Sequence, residues 1–111
     1  MKTPLFRYDA TVYQEKFIAE ESQILNSSSY QILSKFHKYG SGHASVTFKI
    51  NLEEVSSVDD VIQKHMNKGF KQVNGERVTL CRGFESLFFA KASDEPNFYM
   101  YWHYPDDECN E

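Results

Sequence analysis

Seven consecutive residues near the C-terminus, Phe98-Tyr99-Met100-Tyr101-Trp102-His103-Tyr104, constrain this chain more than any other stretch. Side chains of a strand alternate between its faces, so Phe98, Met100, Trp102 and Tyr104 point one way and Tyr99, Tyr101 and His103 the other. Neither face is polar. Such a strand belongs in the middle of a sheet, with one of its faces in the core. The other face is either covered as well or is an aromatic surface that meets a partner.

The segment before it supplies the rest of a sheet. From His43 the period is two: Ala44, Val46, Phe48 and Ile50 alternate with Ser45, Thr47 and Lys49, which predicts a strand with one buried side. Phe70 to Val73 leads into Asn74-Gly75, a strong two-residue hairpin signal, after which Val78 and Leu80 alternate with Arg77, Thr79 and Cys81. Arg82-Gly83 turns the chain into a strand at Leu87 to Ala90, and residues 93–97 form a composite turn before Phe98.

Helical spacing appears in three places. Tyr13, Phe17 and Ile24 recur on one side of a helix between Asp9 and Leu25, with Glu15, Lys16, Glu20 and Glu21 facing solvent. The Ser27-Ser28-Ser29 run caps a second helix with an apolar stripe of Ile32, Leu33 and Phe36, stopped by Gly40-Ser41-Gly42. Ser57, three residues before Asp60, opens a third helix lined by Val58, Val61, Ile62 and Met66, with Gly69 at its end. The expected fold is therefore α+β, in the order ααβαββββ. A helical hairpin and one further helix pack on one face of a curved, mainly antiparallel sheet of about five strands. If the first strand neighbours the meander in parallel, its helical crossover is right-handed.

At 111 residues the chain is read as one domain, 1–111, with an acidic tail at 105–111. Charge is unevenly spread. The net charge is −4, yet from Ala92 onward there are acidic residues and no Lys or Arg. That segment repels phosphate backbones and attracts a basic protein surface, so the expectation is no nucleic-acid partner. No apolar run approaches the roughly 18 to 20 residues of a membrane span, and the start lacks a signal-like stretch, which predicts a cytoplasmic protein with no membrane partner. Cys81 and Cys109 fit no zinc or redox spacing and are read as free thiols.

Catalytic signatures are not apparent. His37, His43, His65 and His103 stand at no metal-ligand spacing, Cys81 has no helix N-terminus beside it, and neither a Gly-rich phosphate loop nor a Gly-x-Ser-x-Gly motif occurs. The chain is thus read as non-catalytic, with no metal and no cofactor. His37 and His65 are placed on helix surfaces or at the core edge.

The functional expectation is a binding protein. Tyr99, Tyr101 and His103 form an aromatic surface flanked by Asp94, Glu95, Asp106, Asp107 and Glu108, the pairing of anchor and steering groups that takes a basic protein partner. An inhibitor or immunity protein for a basic toxin or nuclease is the specific form of this reading. Two alternatives stand beside it. The order of elements resembles the cone-shaped fold of the nuclear-transport-factor type, which implies a ligand pocket or enzyme site between helices and curved sheet, with His43, His65, Trp102 and His103 as candidate pocket residues. The third is a homodimer built on the aromatic strand.

Overall fold

The structure is a computed structural model that describes residues 3–38, 42–55, 57–73, 79–93 and 97–109. These form two α-helices, a short 3₁₀ turn and one six-stranded antiparallel sheet. In chain order the elements are α1 (Thr3–Ile24), β1 (Tyr30–Lys38), β2 (His43–Ile50), α2 (Val58–Met66), β3 (Lys71–Gln72), β4 (Leu80–Arg82), β5 (Glu85–Lys91) and β6 (Phe98–Tyr104). Across the sheet the order is β1-β2-β6-β5-β4-β3, and it does not close.

The buried stripe of α1 is Ala10, Gln14, Phe17 and Glu21, spaced to share one side of the helix and continued by Leu25 just past its end. Two of its four members are polar. Gln14 donates its amide to the Phe36 and Ser45 carbonyls at 2.8 and 3.0 Å, which seats the helix on the β1–β2 hairpin. Glu21, assigned to solvent from its charge, is fully buried, because its carboxylate meets His65 of α2.

The second expected helix is a strand. β1 pairs antiparallel with β2 from Tyr30↔Ile50 to Lys38↔His43, with a register shift between Ile32 and Ser34. That irregularity hides the strand from a periodicity reading. Ile32 lies opposite Phe48 on the inner face, Phe36 opposite Ser45 on the outer face, so the apolar residues of β1 obey no period of two. The spacing of 32, 33 and 36 mimics a helical stripe instead.

β2 and α2 form where their local patterns dictate. Ser57 accepts from the Asp60 amide at 3.1 Å and caps α2, whose ends carry Asp59 and Asp60 first and Lys64 and His65 last, the favourable sense for the helix dipole. Asn67 is the C-cap, and Gly69 takes the positive φ of 104° that lets the chain leave for β3. β2 reaches the meander as an antiparallel neighbour of β6, paired from Ala44↔Tyr104 to Ile50↔Phe98, so no parallel crossover exists. The Asn74-Gly75 hairpin signal, like Asp94 and Glu95, lies outside the described residues.

The core sits between the helices and the inner sheet face. Trp102, Phe17, Phe48, Phe70, Leu80, Leu87 and Met100 are fully buried there. Phe17 is the hub: it stacks on Trp102 at 5.4 Å, meets Phe48 and Phe70 edge-on at 5.7 and 6.2 Å, and lies 6.2 Å from His65.

Cys81 and Cys109 form a disulfide, which corrects the free-thiol reading. After Tyr104 the tail doubles back. The Asp106 amide donates to Phe84 O and the Cys109 amide to Asp106 O, both at 2.9 Å, which carries Cys109 over β4. Nothing local announces a bond between residues 28 positions apart. Replacing both cysteines by Ser is expected to lower the unfolding free energy by about 3.5 kcal/mol, the loop-closure value for a ring of that length. Denaturant titration measures it, and amide exchange should show residues 106–109 losing protection.

Candidate functional site

The inner face of β6 is spent on packing, and its outer face is open. Tyr99, Tyr101 and His103 lie on the side of the sheet away from α1 and α2, each half-buried by its neighbours on the sheet. Tyr101 stacks on Phe88 of β5 at 5.8 Å and lies 6.0 Å from Tyr99, while His103 stacks on His43 at 5.7 Å. Phe88, opposite Tyr101 in the ladder, belongs to this surface and went unnoticed in the sequence, although its place in an alternating strand was the available signal.

The tail forms the rim of this face. Asp106 is buried: its Oδ2 accepts from Ser86 Oγ at 2.8 Å and its Oδ1 from the Glu108 amide at 3.0 Å, and His103 Nδ1 stands 3.5 Å from Oδ2. Burial alone raises a carboxyl pKa. Here the Glu108 amide, the Ser86 hydroxyl and His103 outweigh it and hold Asp106 below the ordinary carboxylate value. Asp107 and Glu108 are exposed beside it. Of the five carboxylates anticipated around the aromatic strand, then, Asp106 is a structural lock, Asp107 and Glu108 face solvent at one end, and Asp94 and Glu95 lie outside the described residues.

The four residues proposed to line one pocket do not share one. His65 and Trp102 are sealed in the core, and His43 and His103 stand on the opposite face of the sheet. His65 is therefore neither surface nor core-edge. Its Nδ1 donates to the Val61 carbonyl at 2.8 Å and its Nε2 is hydrogen-bonded to Glu21 Oε2 at 2.5 Å. Tyr30 has a pKa raised first by burial and then by the nearby Glu21 charge. His37 is an exposed residue of β1 and not of a helix.

A groove of about 610 Å³ opens elsewhere, between α1 and the β4–β5 turn, with Tyr13, Lys16, Glu20, Arg82, Phe84 and Glu85 among its walls. Three of its charged groups, Glu20, Arg82 and Glu85, are engaged with one another. Arg82 spans Glu20 at 2.9 and 3.1 Å and Glu85 at 3.2 Å, and covers the Phe70 ring at 4.3 Å. Burial works against that guanidinium's charge, but the hydrogen bonds and charges of the two carboxylates prevail and raise its pKa. Glu85 also takes the Trp102 indole N–H at 3.0 Å. The network closes one end of the core.

Chemically, the outer-face cluster orients an imidazole without arming a nucleophile. Ser86 gives its proton to Asp106 and not to a histidine, so the order of a nucleophile–base–acid relay is absent. Among the described residues no group of three His, Cys, Asp or Glu is arranged to hold a metal ion. Nor is any helix of the described residues long and apolar enough to cross a membrane. No family model, no curated protein and no solved structure matches the chain.

Proposed function

We propose that this chain is a non-catalytic binding protein that takes a basic protein partner on the outer face of its sheet, with Tyr99, Tyr101, Phe88 and His103 as anchors and Asp107 and Glu108 as the steering rim. Its specific form is an inhibitor or immunity protein directed at a basic toxin or nuclease. One observation carries the reading: a disulfide and a buried carboxylate are spent on holding an acidic tail in a fixed position beside an aromatic face that no helix of the described residues covers. A tail serving solubility alone has no need of that restraint. Pre-organised charge costs less to order on binding and aligns the partner during approach. The disulfide also favours an oxidising compartment over the cytosol expected from the sequence.

The test starts with wild-type capture of a partner and its identification, followed by kinetics on variants. Tyr101→Ala is expected to weaken binding about thirtyfold, as the loss of a central anchor does. Asp107→Asn with Glu108→Gln should slow association by on the order of tenfold at low salt and leave dissociation nearly unchanged. If neither variant alters the captured partner's kinetics, the outer face is not the binding surface.

A further inference from the structure

The groove between α1 and the β4–β5 turn has the dimensions of a small-molecule site, since its volume of about 610 Å³ lies within the roughly 300–1,000 Å³ of such sites. It opens on the helix side of the sheet. By alternation along the strands, Arg82, Glu85 and Tyr104 share the face of Leu80, Leu87 and Trp102, and not that of Tyr101 and His103. The apolar walls are rings. Tyr13 of α1 stacks on Tyr104 of β6 at 4.6 Å, and Tyr104 lies 6.4 Å from Trp102 in a nearly parallel plane, which ties this wall to the ring cluster of the core. Phe84 of the turn lines the groove as well. Its carbonyl is held by the Asp106 amide at 2.9 Å while the residue is 43% exposed, so a fixed backbone leaves an apolar ring open. At the adjoining Gly83, no residue beyond the chain neighbours comes within 4 Å of the place a Cβ would take. Walls held in place before a ligand arrives need little further ordering to receive it.

Charge selects what the groove takes. Glu20, Arg82 and Glu85 satisfy one another, and Arg82 also donates to the Lys68 carbonyl at 2.8 Å. Lys16, which lines the same groove, has no part in that network. Its side chain is exposed, it makes no ion pair among the described residues, and its ammonium stands over the Tyr13 ring, 5.9 Å from the centroid. That contact keeps the cation beside the aromatic wall without neutralising it. We infer that the groove binds a small aromatic monocarboxylic acid, its ring against Phe84 and the Tyr13–Tyr104 pair and its carboxylate on Lys16 Nζ. A cationic ligand meets Lys16 with like charge and finds both carboxylates of the groove held by Arg82. A phosphomonoester carries about 1.5 to 2 negative charges at neutral pH, more than Lys16 balances, and sets the excess near Glu20 one helical turn away. A single carboxylate matches the single cation. This inference does not depend on the outer-face reading, from which it differs in residues, sheet face and class of ligand.

Titrating the intact, disulfide-bonded protein with naphthoate and with its neutral analogue naphthamide, read by amide chemical shifts, tests it. Naphthoate is expected to bind saturably, to shift amides within 13–23 and 82–85 and to leave those of 99–101 unaffected. It should bind about fivefold more tightly than naphthamide, the upper range for one exposed ion pair. Lys16→Gln should weaken naphthoate about fivefold and leave naphthamide unchanged, a split that a merely structural role of Lys16 does not produce. Ala19→Trp fills the groove from an exposed position of α1 and should abolish binding of both compounds while keeping the thermal midpoint. Equal affinity for acid and amide, naphthoate binding indifferent to Lys16→Gln or to Ala19→Trp, shifts centred on 99–101, or no saturable shift within 13–23 and 82–85 overturns the proposal.

Discussion

Phe17→Ala is expected to lower the unfolding free energy by about 3–5 kcal/mol, the upper range for truncating a buried aromatic. Phe17 sits where α1, α2 and the inner sheet face converge, fully buried among Trp102, Phe48, Phe70 and His65. The cost depends on how far the site can collapse, and here the walls are rings held by β2, β6, α2 and the loop before β3. Trp102 is pinned by its indole bond to Glu85, and His65 by Val61 and Glu21, so neither can swing into the space left. Val12→Ala on the exposed side of the same helix is the control, expected to change stability by less than about 0.5 kcal/mol. Chemical denaturation of both variants reads the difference directly. A loss below about 1.5 kcal/mol for Phe17→Ala would mean that the ring cluster is not the centre of the core.

The buried pair of Glu21 and His65 gives the second large effect, and its sign depends on how many partners are removed. His65→Leu leaves both carboxylate oxygens of Glu21 without a partner inside the protein and is expected to cost about 3–5 kcal/mol. Glu21 Oε1 already has no hydrogen-bond partner among the described residues, so the native arrangement is only partly satisfied. Replacing both residues by apolar ones of similar size, Glu21→Met with His65→Leu, is therefore expected to restore the loss and to leave the protein as stable as the wild type or more stable by up to about 4 kcal/mol. A double-mutant cycle in denaturant measures the coupling. If the double variant is as unstable as His65→Leu alone, the pair contributes more than it costs and the argument from desolvation is wrong. The buried pair joins the two helices across 44 residues, which gives it a role in fixing α2 over the sheet whatever its net energy.

Much of this molecule is written in short-range pattern. The alternation of 44–50 and of 98–104, the Ser57 cap with its apolar stripe, and the turn at Gly83 each depend on residues within a few positions of one another, and each appears where the local sequence puts it. The surface formed by Tyr99, Tyr101 and His103 follows from the same alternation, since a strand's two faces are set by its own backbone. Other features were decided only by contacts far apart in the chain. Residues 30–38 carry a helix-like apolar spacing, and pairing with β2, together with one register irregularity, makes them a strand. Glu21 reads as a solvent-facing residue and His65 as one at the helix surface or core edge because neither reveals a partner 44 positions away, and the burial of each depends on the other. Asp106 reads as part of a solvated acidic run, yet Ser86 and a tail tied down at Cys81 draw it inside. Periodicity reports which side of an element is apolar. It is silent on polar groups that become burial-compatible only once a distant partner satisfies them, and in this protein those groups fix how the helices and the tail are held.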